Sequence, residues 1–245
     1  VWAHSLYRPF SDVVLSPSCY LGEVSDKQIL FDSYMELCYL HPKYFKPDPD
    51  IRQQLGLNNE ERYIVIRLVS WDANHDVGQK GFSNRNKYEL VTTLSKNRKV
   101  FISSEGKLPK ELQKYRLQLN PSKFHDVLHG ADLYIGEGST TATECAVLGT
   151  PAIYVNSLVV GNCSELEEKY SLVFQLSKLT SVFEKAKEIL ENSDSKKYFE
   201  NQKNQMLKDK IDPTEYMVWF VEHWPQSAQM PEKGRFIGDS VGIKY

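Results

Sequence analysis

The stretch "ADLYIGEGSTTATECAVLGTPAIYV" (131–155) decides the reading of this chain. A short apolar run, "DLYIGE", ends in a glycine-rich turn, and a hydroxyl-rich segment then opens a helix. Gly149-Thr150-Pro151 stops that helix, and "PAIYV" starts a second strand. Gly136 and Gly138 let backbone approach a ligand closely. Ser139, Thr140 and Thr141 add hydroxyls beside the unpaired N–H groups of the helix start, whose partial positive charge is worth roughly 0.3–1 kcal/mol to an exposed anion. Together they read as a phosphate cradle. It is not a P-loop, because no Gly-Lys-Ser/Thr follows, and it does not match GxGxxG. A purely structural alternative stands beside it: Thr141-x-x-Glu144 also spells a capping box that satisfies helix-start amides.

Working outward, the same alternation recurs. "YIVIRLVS" (63–70) and "KVFISSE" (99–105) read as buried parallel strands, with "RNKYELVTTLSK" as the helix between them. "YRLQLN" (115–120) is predicted to be a third strand, and "PSKFHDVLHGA" a short helix opened by Pro121 and Ser122. After residue 176 the pattern turns helical, and Asp212-Pro213 marks a helix start. Strands alternating with helices predict a doubly wound, Rossmann-like α/β domain over 48–224. The aromatic-rich segment 1–47, with a strand at 12–16, ends in a proline-punctuated linker. It reads as the end of a preceding Rossmann-like domain and its hinge, in a chain that lacks an N-terminal region; 225–245 reads as an extended tail.

In such a sheet, ligands settle outside the carboxyl ends of the strands. Four consecutive strand ends here carry polar residues. The first is "SWDANHDVGQKGFS" (70–83), where Ser70, Trp71, Asp72 and His75 make a loop too polar for a mere connector. His75 oriented by Asp72 is the candidate acid/base pair; the spacing matches no standard metal site. Ser104 and Glu105 end the second strand, Phe124 and His125 follow Asn120-Pro121, and the cradle ends the next. Asp48-Pro49-Asp50 lies in the linker, away from any strand end, and is set aside. Cys145, inside the helix, reads as a small buried residue.

The 245 residues carry a formal net charge of −2 and a pI near 6.4, which gives no polyanion-seeking signature and argues against nucleic acid. No apolar run approaches the roughly 20 residues that span a bilayer. Four dispersed cysteines without a CxxC pair suggest a reduced, cytoplasmic setting.

"WDANHDVGQKGFS", "ISSEGKLPKEL", "FHDVLHGADLYIGEGSTTATECAVLGTPAIYVN" and "ELEEKYSLVFQL" together resemble an uncharacterised family of bacterial and archaeal surface-polysaccharide proteins. That family is similar to UDP-N-acetylglucosamine 2-epimerase and to the MurG glycosyltransferase, all of GT-B architecture. The resemblance implies that 136–141 grip a diphosphate, that Glu144 holds ribose hydroxyls, and that 120–124 clasp uracil, with 70–75 facing the phosphates from the other side. It implies a UDP-sugar as substrate with no metal or other cofactor, and a glycan or lipid-linked acceptor. Glu137 and Glu144 are one residue too close for the Glu-x7-Glu pattern of many retaining GT-B transferases, and the Asp-Ser-Gly-Gly run of the 2-epimerases is absent. A glycosyltransferase of surface-polysaccharide biosynthesis is therefore the leading expectation. A 2-epimerase-like enzyme and a non-catalytic nucleotide- or partner-binding domain stand as alternatives. The sequence leaves the oligomeric state open.

Overall fold

The computed structural model describes residues 6–58, 60–69 and 83–229. It holds two parallel sheets. The smaller pairs β1 (Val14–Pro17) with β2 (Gln28–Phe31) in register from Val14↔Gln28 to Pro17↔Phe31. The expected strand at 12–16 is there, and its neighbour follows it in sequence. Two four-residue helices, α1 (Leu37–Leu40) and α2 (Ile51–Gln54), lead across the linker.

The larger sheet has five parallel strands: β3 (Tyr63–Leu68), β4 (Lys99–Ser104), β5 (Leu133–Gly136), β6 (Ala152–Val155) and β7 (Val173–Leu176), in the order β4-β3-β5-β6-β7. Its central strands are buried on both faces, as their runs of Ile, Val, Leu and Tyr require. Helices connect successive strands. α3 (Asn84–Leu94) is capped by Ser83, whose hydroxyl accepts the Asn86 N–H at 3.1 Å. α4 (Phe124–His129) precedes β5, α5 (Ser139–Leu148) joins β5 to β6, and α6 (Gly161–Tyr170) joins β6 to β7. α7 (Leu179–Glu191), α8 (Ser195–Asp209) and α9 (Pro213–Glu222) complete the chain. The doubly wound parallel sheet expected from the alternation is present. Among the described residues no helix is long and apolar enough to cross a membrane.

The strand expected at 115–120 is not one. Lys110–Tyr115 forms a 3₁₀ helix, and a single bridge, Arg116 to Ile102, touches the β4 edge, with the Leu117 N–H donating to the Ile102 carbonyl at 2.9 Å. Asn120-Pro121 opens the next helix too soon for a ladder to grow, since proline offers no N–H.

α5 is buried along its length from Thr141 to Leu148, so a helix with no apolar stripe marks the centre of the molecule rather than its surface. Gly149 ends it at φ 84°, the left-handed cap that Gly-Thr-Pro foretold. α9 instead crosses to the small sheet: Ile211, Tyr216 and Phe220 bury against Phe31, flanked by Val13, Leu15 and Ile29. Beneath this contact Lys210, its side chain 1% exposed, places Nζ 2.5 Å from Asp32 and 3.0 Å from both Glu165 oxygens. It also lies 5.0 Å from the Tyr34 ring centre.

Candidate functional site at the switch point of the sheet

From β3 the chain runs first to β4 on one side, then crosses to β5 on the other. β3 and β5 are therefore neighbours whose connections diverge, and the crevice beyond their carboxyl ends is where such sheets take ligands. The 136–141 motif stands at that point. The described part of its rim is well fixed. Glu137 is buried, and its carboxylate accepts the Val69 N–H at 3.0 Å; Asn156, just past β6, donates to the Glu137 carbonyl at 3.2 Å.

Gly138 is the residue before the helix, with no side-chain cap. The Ala142 N–H reaches the Gly138 carbonyl, while the amides of Ser139, Thr140 and Thr141 donate to no described residue. Thr140 is exposed and Ser139 half-buried; Thr141 is buried, next to the Tyr134 hydroxyl. Gly136 is explained by packing. A Cβ there would sit 2.1 Å from the Tyr134 hydroxyl, which folds back beneath it.

A cation among the described residues of this rim lies on a residue the motif reading passed over. Arg67 pairs in register with Gly136 on one side and Ser103 on the other. Its guanidinium donates to Glu105 at 2.8 Å and to the Ser103 hydroxyl at 3.2 Å, and lies 5.3 Å from the Phe124 ring centre. One arginine thus gathers Glu105 and Phe124 beside the helix start, while Ser104 bonds to the Gly106 carbonyl instead. A lone arginine inside the buried run "YIVIRL" was the signal that could have found it.

Glu144 makes no capping box, since α5 begins at Ser139 and places it in the second turn. Its Oε1 accepts the Tyr39 hydroxyl at 2.9 Å and lies 3.0 Å from His125 Nε2. The His125 ring packs against Tyr39 and Phe45, with centres 5.5 and 6.4 Å apart. Glu144 is thus the meeting point of the aromatic segment, α4 and α5. Ser70, Trp71, Asp72 and His75 lie outside the described residues.

A second feature adjoins this cluster. Residues 17–22 and 34–36 face 159–162 across an open cavity of about 370 Å³, within the size range of small-molecule sites. Glu36 and Asn162 line it. Burial, with the charge of Glu144 adding to it, pushes the Glu36 carboxyl up to about 7 despite a hydrogen bond from its own N–H. Asn162 donates to the Thr143 hydroxyl at 2.7 Å, which in turn donates to the Ser139 carbonyl at 3.0 Å. The cavity wall is therefore two hydrogen bonds from the helix start. Nothing in the sequence pattern announced Glu36, because "DSYMELCYL" has no motif at that position.

No family model matches this chain, and no curated protein matches it. Solved structures do. A proposed UDP-N-acetylglucosamine 2-epimerase from Listeria monocytogenes superposes with a TM-score of 0.62 at 12% identity, over 95% of this chain and 64% of that one. S. aureus MnaA, solved with UDP, gives 0.60 at 13% identity, over 96% and 64%. The rhamnosyltransferase SpnG, complexed with spinosyn aglycone, gives 0.53 at 12% identity, over 88% and 58%. The chain thus spans 58–64% of the length of these three structures. The architecture it shares with them is the GT-B type.

Proposed function

We propose that this chain binds a nucleotide-sugar, with the diphosphate at the Ser139–Thr141 amides, and acts in glycosyl transfer for surface-polysaccharide synthesis. One observation carries the reading: three helix-start amides without a described acceptor stand at the switch point, next to the Arg67 guanidinium. Fixed dipoles aimed at a departing diphosphate stabilise it as its charge develops, without requiring a metal. The UDP in the MnaA structure supports a uridine nucleotide for a chain of similar fold. Glu144 and His125 are assigned to the nucleoside side, Gly136 and Gly138 to the turn, and Ser104, Glu105 and Phe124 to the rim. Ser70 and Trp71 are assigned to the opposite wall. His75 and Asp72 are assigned as the acid/base pair.

The test is thermal. At a hundredfold excess over Kd, a ligand adds about 2.7 kcal/mol, so UDP and UDP-sugars should raise Tm by roughly 5–10 °C. Glu144→Gln should weaken that shift more than it lowers the unliganded Tm. A flat response to a panel of nucleotides favours a partner-binding domain instead.

A further inference from the structure

The cavity at 17–22, 34–36 and 159–162 belongs to none of the roles assigned above. Its walls are mostly aliphatic and aromatic, with Leu21 and Val159 about two thirds exposed at the mouth (66% and 65%). Glu36 is 7% exposed and its carboxylate receives only its own N–H among the described residues. A sugar, with a hydroxyl on most carbons, would leave those hydroxyls unpaired against such walls. A molecule with an apolar body and one hydroxyl would not.

We propose that this cavity binds an apolar-bodied alcohol or phenol and that the Glu36 carboxylate accepts a hydrogen bond from its hydroxyl. This stands apart from the nucleotide-sugar reading, since Asn162 reaches the Ser139 carbonyl through Thr143 and not the helix-start amides. The titratable groups that bear on Glu36 are Glu144, Cys19, Cys38, Tyr39 and Cys163, none of them a cation. Glu36 therefore changes charge near neutral pH and presents a carboxylate to that hydroxyl at pH 8.

2-Naphthol serves as the probe, because its excited state releases a proton to an adjacent base and then emits as naphtholate. At pH 8 the wild-type chain should bind it saturably and show enhanced naphtholate emission. Leu21→Asp and Val159→Asp, both at exposed positions, should weaken binding at least tenfold. Glu36→Gln should bind the probe yet lose most of the naphtholate signal. The absence of saturable binding, binding unaffected by both Asp variants, or unchanged emission in Glu36→Gln would each overturn the proposal. The UDP-induced Tm shift, read on the same proteins, separates the two readings: its absence in a chain that binds naphthol as described would remove the nucleotide assignment alone.

Discussion

The two sheets are held together in opposite ways. The five-stranded sheet carries its own core: Ile64, Val65, Ile66, Leu133, Ile135 and Ile153 are fully buried along its centre, and each strand lies near its neighbours in sequence. The two-stranded sheet has too little surface to stand alone. It borrows α9 from nearly two hundred residues downstream, and a buried lysine from just before that helix, to stay in place. Self-sufficient structure tolerates local damage; borrowed structure depends on single long-range contacts.

The largest effect is therefore expected at the borrowed contact. Lys210→Ala leaves Asp32 and Glu165 close together without their shared cation, and breaking such a pair costs about 3–5 kcal/mol. Both carboxyls feel burial pulling them upward, yet hydrogen bonds from lysine hold them below the ordinary range: Lys210 for Asp32, and Lys169 with Lys210 for Glu165. Their contribution is therefore present above the ordinary carboxylate range and is lost as pH falls through their folded values. A urea midpoint within error of wild type would mean the small sheet does not depend on this pair.

Next comes Glu36, where the sign is reversed. Its folded value of about 7 exceeds the ordinary 4.5, so its contribution is fully present below pH 4.5 and is lost as pH rises through 7. Glu36→Gln, neutral throughout, should be more stable than wild type by roughly 3 kcal/mol at pH 8 and equal to it near pH 4. Chemical denaturation at both values checks this, and a variant less stable at pH 8 would show a structural role.

Smallest is the damage within the self-sufficient sheet. Gly136→Ala drives a Cβ into the Tyr134 hydroxyl, an overpacking cost of about 1–3 kcal/mol. The added Tyr134→Phe substitution should recover little of it, because the ring carbon that carried the hydroxyl still lies 2.4 Å from that Cβ. Full recovery by Tyr134→Phe would place the constraint on the hydroxyl alone.

The difference between the regions also explains what could be read from the sequence. β3, β4, β5 and β6 announce themselves because each is a short apolar run bounded by turn residues, and burial on both faces demands that pattern. The helix end at Gly149 was equally legible. β2 was not, since "QILF" sits among aromatic residues whose burial depends on α9, and the third strand failed because its partner edge offered one bridge and no more. The site divides similarly. The helix start was visible as a motif, whereas Arg67, Tyr39 and Glu36 became functional candidates only when register and folding brought distant segments beside it. Glu144 could be read as a cap or as a ligand-binding group until its partners, Tyr39 and His125, were seen.

A crystal structure of this chain grown with UDP tests the central claim most directly. The account predicts diphosphate oxygens within hydrogen-bond distance of the Ser139, Thr140 and Thr141 amides, with the Arg67 side chain alongside. UDP bound elsewhere, with those amides covered by protein, would contradict it.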